Sequence, residues 1–178
     1  QHFDLVLTGD ETSGQQDLEL LRDVRRVRPH LRLIILTNES TPPDVIESMK
    51  QRAFSYFSAP YTAEALTNML RHATEAPVWD EGIELLSATT EWLGLAARCD
   101  MRTADRLVQF IHEFSDLPEK HRDDVGTAFR EMLLNAIEHG GNLDPSQLVV
   151  ISYIRARDAV ICRIKDPGEG FSLEQLRE

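Results

Sequence analysis

The chain sets a carboxylate and a carboxamide four residues apart in Glu131-Met-Leu-Leu-Asn135, within a segment that runs on as Ala-Ile-Glu-His139-Gly. Further along, Asp166-Pro-Gly168-Glu-Gly170-Phe171 places an acid among glycines. Glu131 can accept a proton from an attacking hydroxyl, or orient it. Asn135 offers a neutral carbonyl oxygen, which suits Mg²⁺, an ion that keeps waters and takes its other ligands from phosphates. The glycines around Asp166 admit positive φ and close backbone approach. Taken singly, Glu with Asn at this spacing is an ordinary solvated helix flank, and Asp-Pro-Gly is a surface turn. Together they supply the parts of a Mg-ATP site.

The elements that must position them follow from periodicity. Val125, Ala128, Phe129, Met132, Leu133, Ala136 and Ile137 recur at the spacing of an amphipathic helix. Glu131 and Asn135 then share one stripe beside that apolar face, and His139 continues it toward the core edge. Val160, Cys162 and Ile164 alternate as a half-buried strand that ends at Asp166. Upstream, residues 83–87 and 92–97 read as a hairpin. A helix follows with Ala104, Leu107, Val108, Ile111 and Phe114 on one face, capped by Asp100. Gly140-Gly141-Asn142 reads as the stop of the site helix. Residues 148–154 and 160–165 read as an antiparallel pair.

The two boxes resemble the N box and first glycine box of the GHKL ATPase superfamily, and within it the anti-sigma-factor serine kinases of bacteria. The resemblance covers residues 82–178. It implies a partial Bergerat fold, an α+β two-layer sandwich with helices on one face of a mixed sheet. It implies ATP and Mg²⁺ as cofactors: Asp166, Gly168, Gly170 and Asn135 bind the nucleotide, Asp166 takes the exocyclic amine of adenine, and Asn135 is the Mg²⁺ ligand. Glu131 becomes the catalytic base. The implied activity is Mg-ATP-dependent phosphorylation of a serine on an anti-anti-sigma partner of the STAS type, with a sigma factor as the other partner. The leading Glu131 favours this branch over the histidine kinases. A catalytically silent scaffold in the same kind of pathway is the alternative. The family's ATP lid, second glycine box and last strands are expected beyond Glu178, so residues 1–178 alone are expected to bind nucleotide weakly or not at all.

Before Glu75-Ala76-Pro77, strand-like and helix-like segments alternate, which implies a parallel sheet and a division into residues 1–75 and 76–178. Asp4-Leu-Val-Leu-Thr8, Leu18-Glu-Leu-Leu21, Leu33-Ile-Ile-Leu-Thr37 and Ala53-Phe-Ser-Tyr-Phe-Ser-Ala-Pro60 resemble the later part of a flavodoxin-like response-regulator receiver. Gly9 stands where the resemblance puts the phosphoacceptor Asp, and Ala59 where it puts the Lys before Pro. Thr37 matches the switch hydroxyl, and Asp10 is a displaced candidate acceptor. The expectation is a pseudo-receiver used for interaction, homodimerisation included, whose first strand lies upstream of Gln1. A generic α/β half-domain is the alternative.

Composition bounds the rest. A net charge of −11 with no basic run argues against nucleic acid and anionic membrane as partners. Cys99 and Cys162 have no metal or redox spacing and read as free thiols of a reducing cytoplasm. No apolar run approaches the roughly 20 residues of a membrane span, and no signal peptide is read, so a soluble cytoplasmic protein is expected. His139 has no second His or Cys at ligand spacing and reads as a structural helix-end histidine.

Overall fold

The computed structural model describes residues 5–9, 11–75, 82–157 and 159–170. Asp10, Phe171 and the expected boundary at Ala76-Pro77 lie outside the described residues.

The first half runs β1 (Leu5–Leu7), α1 (Gly14–Val27), β2 (Arg32–Thr37), α2 (Pro42–Lys50), β3 (Ser55–Ser58), α3 (Ala63–Glu75). The strands form one parallel sheet in the order β1-β2-β3, as the alternation predicts. Local chemistry starts the helices. Ser13 and Gln16 close a reciprocal capping box on α1, and Thr41 caps α2 ahead of two prolines. β2 is buried along its whole length, which explains its unbroken apolar run.

The second half runs β4 (Ile83–Ala88), β5 (Trp92–Arg98), α4 (Met101–Phe114), α5 (Glu119–Asn135), a π-helical turn (Ala136–Gly140), β6 (Leu148–Arg155) and β7 (Val160–Lys165). Its four strands lie in the order β4-β5-β6-β7, and every pairing is antiparallel rather than mixed. The reason lies in the connection between β5 and β6. α4 and α5 leave the sheet after Arg98 and bring the chain back to the same end, where Leu148 registers with Arg98 and the Cys99 amide donates to the Gln147 carbonyl (3.1 Å). A strand entering there must run back along its neighbour. One face of the sheet takes the helices: Leu93, Leu95, Val149, Ile151 and Tyr153 are buried with Phe110, Ile111, Phe114, Phe129 and Leu133.

α4 belongs to both halves. Asp100 caps it, accepting from the Thr103 amide at 3.0 Å, and the apolar stripe read from sequence is buried against the antiparallel sheet and α5. Its other side runs along β3, the edge of the parallel sheet. Arg106 Nε donates to the Phe54 carbonyl and Gln109 Nε2 to the Tyr56 carbonyl, both at 2.9 Å. Glu113 accepts from the Ser58 amide at 3.1 Å and from the Ser58 hydroxyl. Residues 106, 109 and 113 rise along the helix in step with 54, 56 and 58 on the strand. Polar side chains thereby satisfy backbone groups that an open edge strand leaves unpaired. The Arg106 guanidinium also lies 4.4 Å over the Phe54 ring. Among the described residues, no helix is long and apolar enough to cross a membrane.

Candidate functional site

The last turns of α5 and the end of β7 enclose a cleft of about 820 Å³, a size suited to a small-molecule ligand. The helix side contributes Met132, Asn135, Ala136, His139 and Gly140. The strand side contributes Cys162, Arg163, Ile164, Asp166, Gly168, Glu169 and Gly170. Asn135, Asp166, Gly168 and Gly170, far apart in sequence, therefore line one wall system. Glu131 sits one turn before Asn135, is exposed, and is not among the lining residues.

The helix end is shaped by the π turn. The Gly141 amide bonds to the Ala136 carbonyl five residues back (2.9 Å), and the Leu143 amide reaches Ile137 (3.0 Å). Such widened turns recur at functional sites. Gly140 and Gly141 do not supply the left-handed stop expected of them. Asn142 and Leu143 take the positive φ values, 52° and 55°. The glycines serve close approach instead: a Cβ on Gly140 would lie 2.4 Å from Asp166 Cβ and 2.5 Å from its Oδ1, and one on Gly141 would lie 2.3 Å from Cys99 Sγ. Only a bare backbone at 140 lets the helix end and the acid meet.

Asp166 is half-buried, less enclosed than the buried acceptor its strand position suggests. Its Oδ1 accepts from the Gly168 amide at 2.9 Å, which fixes the carboxylate and commits one oxygen. Gly168 is tightly held too, since a Cβ there would be 2.8 Å from that oxygen and 3.1 Å from Gly140 Cα. Gly170 has φ +75° with no described atom within 4 Å of where a Cβ would lie, so it is glycine for conformation. No hydrogen bond to another described residue ties down the side chain of Asn135 or His139. Burial pushes the Cys162 thiol up to about 11, so it stays protonated near neutral pH and presents an apolar wall to the cleft.

Some lining residues were not foreseen. Met132 was placed on the core face but is exposed, because it lines the cleft and the groove removes the cover that periodicity assumes; Ala128, also placed there, is exposed outside the cleft. His139, read as structural, lines the cleft. Cys162 and Ile164 were legible as site residues, since alternation carries them onto the same face as Asp166. Among the described residues, no group of three or more His, Cys, Asp or Glu is placed to hold a metal ion. Asn135 alone fits a cation that takes its remaining ligands from water and phosphate.

Residues 94–178 match the family described as the histidine kinase-like ATPase domain, so this part of the chain is similar to an ATPase domain of that kind. The chain is also similar to response-regulator proteins. It is 30% identical over 83 residues to the transcriptional regulatory protein GlrR of Escherichia coli strain K12, covering 46% of this chain and 19% of that protein. It is 32% identical over 100 residues to the response regulator protein FleR of Pseudomonas aeruginosa, covering 54% of this chain and 21% of that protein. The chain thus spans about a fifth of the length of these curated relatives. No solved structure matches it at a significant level.

Proposed function

We propose that the protein is a signal-transduction regulator whose second half binds Mg-ATP and transfers phosphate to a serine or threonine of a protein partner, in the manner of the anti-sigma-factor kinases. The observation that carries this reading is the meeting of Gly140 and Asp166 across a cleft in which the Asn135 side chain bonds to no other described residue. Asp166, oriented by the Gly168 amide, accepts the exocyclic amine of adenine. Gly140 and Gly168 give the base room to approach. Asn135 holds Mg²⁺ by its carbonyl oxygen. The bound nucleotide supplies the phosphoryl group, and the cation offsets charge on the phosphates. Glu131, solvent-facing one turn away, receives the proton of a hydroxyl presented from outside. The partner on this reading is an anti-anti-sigma protein of the STAS type, and the competing ligand is a sigma factor. The first half acts as a pseudo-receiver, with Gly9 and Ala59 in place of phosphate-handling residues.

The exposure of Glu131 outside the cleft lining favours the second reading, a silent scaffold that binds the same partners without transfer. Titrating the full-length protein with Mg-ATP, then following labelled phosphate onto a serine-bearing partner, separates the two. Saturable binding with transfer supports the kinase. Partner binding without transfer supports the scaffold, and absence of nucleotide binding overturns the site.

A further inference from the structure

The C-terminal ends of α1 and α2 converge at one corner of the parallel sheet, and the fold gathers there charge that the sequence spreads out. Six of the eight Lys and Arg residues in the first 75 stand at this corner. Arg22, Arg25, Arg26 and Arg28 come from α1 and the turn after it, and Lys50 and Arg52 from the end of α2. Arg25 is half-buried and braces the corner: its guanidinium donates to the Pro29 carbonyl at 2.9 Å and to the Arg52 carbonyl. The other five are exposed. Two acids lie among them in long, solvated ion pairs, Arg26 with Asp23 at 3.5 Å and Arg22 with Glu47 at 3.9 Å. Such pairs contribute little in water and exchange readily with another carboxylate.

Offsetting the helix dipoles explains basic residues in the last turns, Arg25, Arg26 and Lys50 among them. It does not explain Arg52. α2 ends in a Schellman turn, in which the Ala53 amide reaches the Ser48 carbonyl and the Arg52 amide the Met49 carbonyl, both at 2.9 Å. That turn holds Arg52 at φ 60°, in the left-handed region where glycine is the less costly residue. A residue kept against its backbone preference on a charged surface points to a use for its side chain.

We propose that this corner docks a short acidic segment of a protein partner. Its five exposed cations complement carboxylates spaced along a peptide. Charge also decides the class of partner. At physiological salt the field of an exposed charge dies away within about 8 Å. A short segment seated on the corner therefore feels the cations and not the net charge of −11 carried by the whole chain. A DNA duplex or an anionic bilayer extends past the corner and meets that acidic remainder. The corner belongs to the first half, so the docking site does not depend on the nucleotide reading of the cleft in the second.

Fluorescence anisotropy of a labelled oligoglutamate peptide, titrated with the full-length protein, tests it. Binding should saturate, and it should weaken as salt rises. Arg28→Glu and Lys50→Glu should each weaken it by roughly tenfold, because reversal replaces an attraction with a repulsion, and Arg28→Gln should lose less. Lys120→Glu changes the net charge equally but lies on α5, and it should bind as the parent does. Arg52→Gly is the sharpest variant. It should weaken binding by about threefold and yet raise the melting temperature, because the turn gains its preferred residue. Circular dichroism confirms the fold of each variant. The proposal is overturned by the absence of saturable binding, by an equal loss in Lys120→Glu, or by an Arg52→Gly variant that binds like the parent or melts lower. Tighter binding to duplex DNA or to phosphatidylglycerol vesicles than to the peptide overturns it as well.

Discussion

Asp17 and Asp166 show how differently the two halves treat a carboxylate. Asp17, in the first turn of α1, is 1% exposed, and its Oδ1 accepts from the Thr12 hydroxyl at 2.7 Å. Threonine hydroxyls at the ends of β1 and β2 are engaged as well. Thr8 donates to the Leu36 carbonyl and accepts from the Leu36 amide, and Thr37 donates to the Glu39 carbonyl. Asp166 commits one oxygen to Gly168 and otherwise faces a cleft where the side chains of Asn135 and His139 bond to no other described residue. The same side-chain chemistry is consumed by the fold at one end and left available at the other. Availability, and not residue type, separates the two acids.

The largest expected effect is on Glu131. If it is the base, Glu131→Gln keeps size and hydrogen bonding while phosphate transfer falls by about 100- to 10,000-fold, the usual range for loss of a general base. Mg-ATP affinity, measured by calorimetry, should stay unchanged. Transfer at the unmutated rate would leave the scaffold as the better account.

Asp166→Asn comes next. Losing a charged acceptor for the adenine amine costs roughly 1.5–3 kcal/mol. Affinity for ATP should drop accordingly and the preference for ATP over GTP should narrow. Retained affinity and preference in competition binding would reduce the loop to a turn.

Gly140→Ala probes the close approach itself. The added methyl overlaps the Asp166 side chain and pushes the acid from its Gly168 bond. Overpacking of this kind costs about 1–3 kcal/mol, read as a lower melting temperature and weaker nucleotide binding together. A variant with wild-type affinity would mean that the two walls do not need to touch.

Legibility in the sequence follows the same divide. The alternation of the first half, the hairpin of residues 83–97 and the apolar stripe of α4 were readable because one physical period governs each. Asn135 and Asp166, singled out for residue types that fit one chemistry, line one cleft. The far side of α4 was not. Arg106, Gln109 and Glu113 have the spacing of a solvated face, and nothing local says that an edge strand lies against them. The glycines at 140 and 141 read as a helix stop, because φ preference is local while a clash with Asp166 or Cys99 is not. An antiparallel sheet replaced the mixed one for a similar reason, since strand direction depends on where a helical hairpin returns.

The smallest effect, and the sharpest test of the contrast, is Asp17→Asn. Burial raises the Asp17 pKa from 3.8, with the Thr12 and Thr8 hydroxyls pulling the other way, and its Oδ2 has no hydrogen-bond partner among the described residues. The sign follows from linkage. Below pH 3.8 both folded and unfolded chains carry the proton, so the group is neutral to stability. As pH rises from there toward the raised folded value, the unfolded chain releases its proton first, and stability falls until the folded value is passed. Asparagine keeps an oxygen for Thr12 and never ionises. The variant should therefore match or exceed the parent at neutral pH, by no more than about 1 kcal/mol, and its stability should vary less with pH on the acid side. Chemical denaturation across that range measures both. A loss of stability at neutral pH would mean that the Asp17 charge is used by the first half, and the contrast with Asp166 would no longer hold.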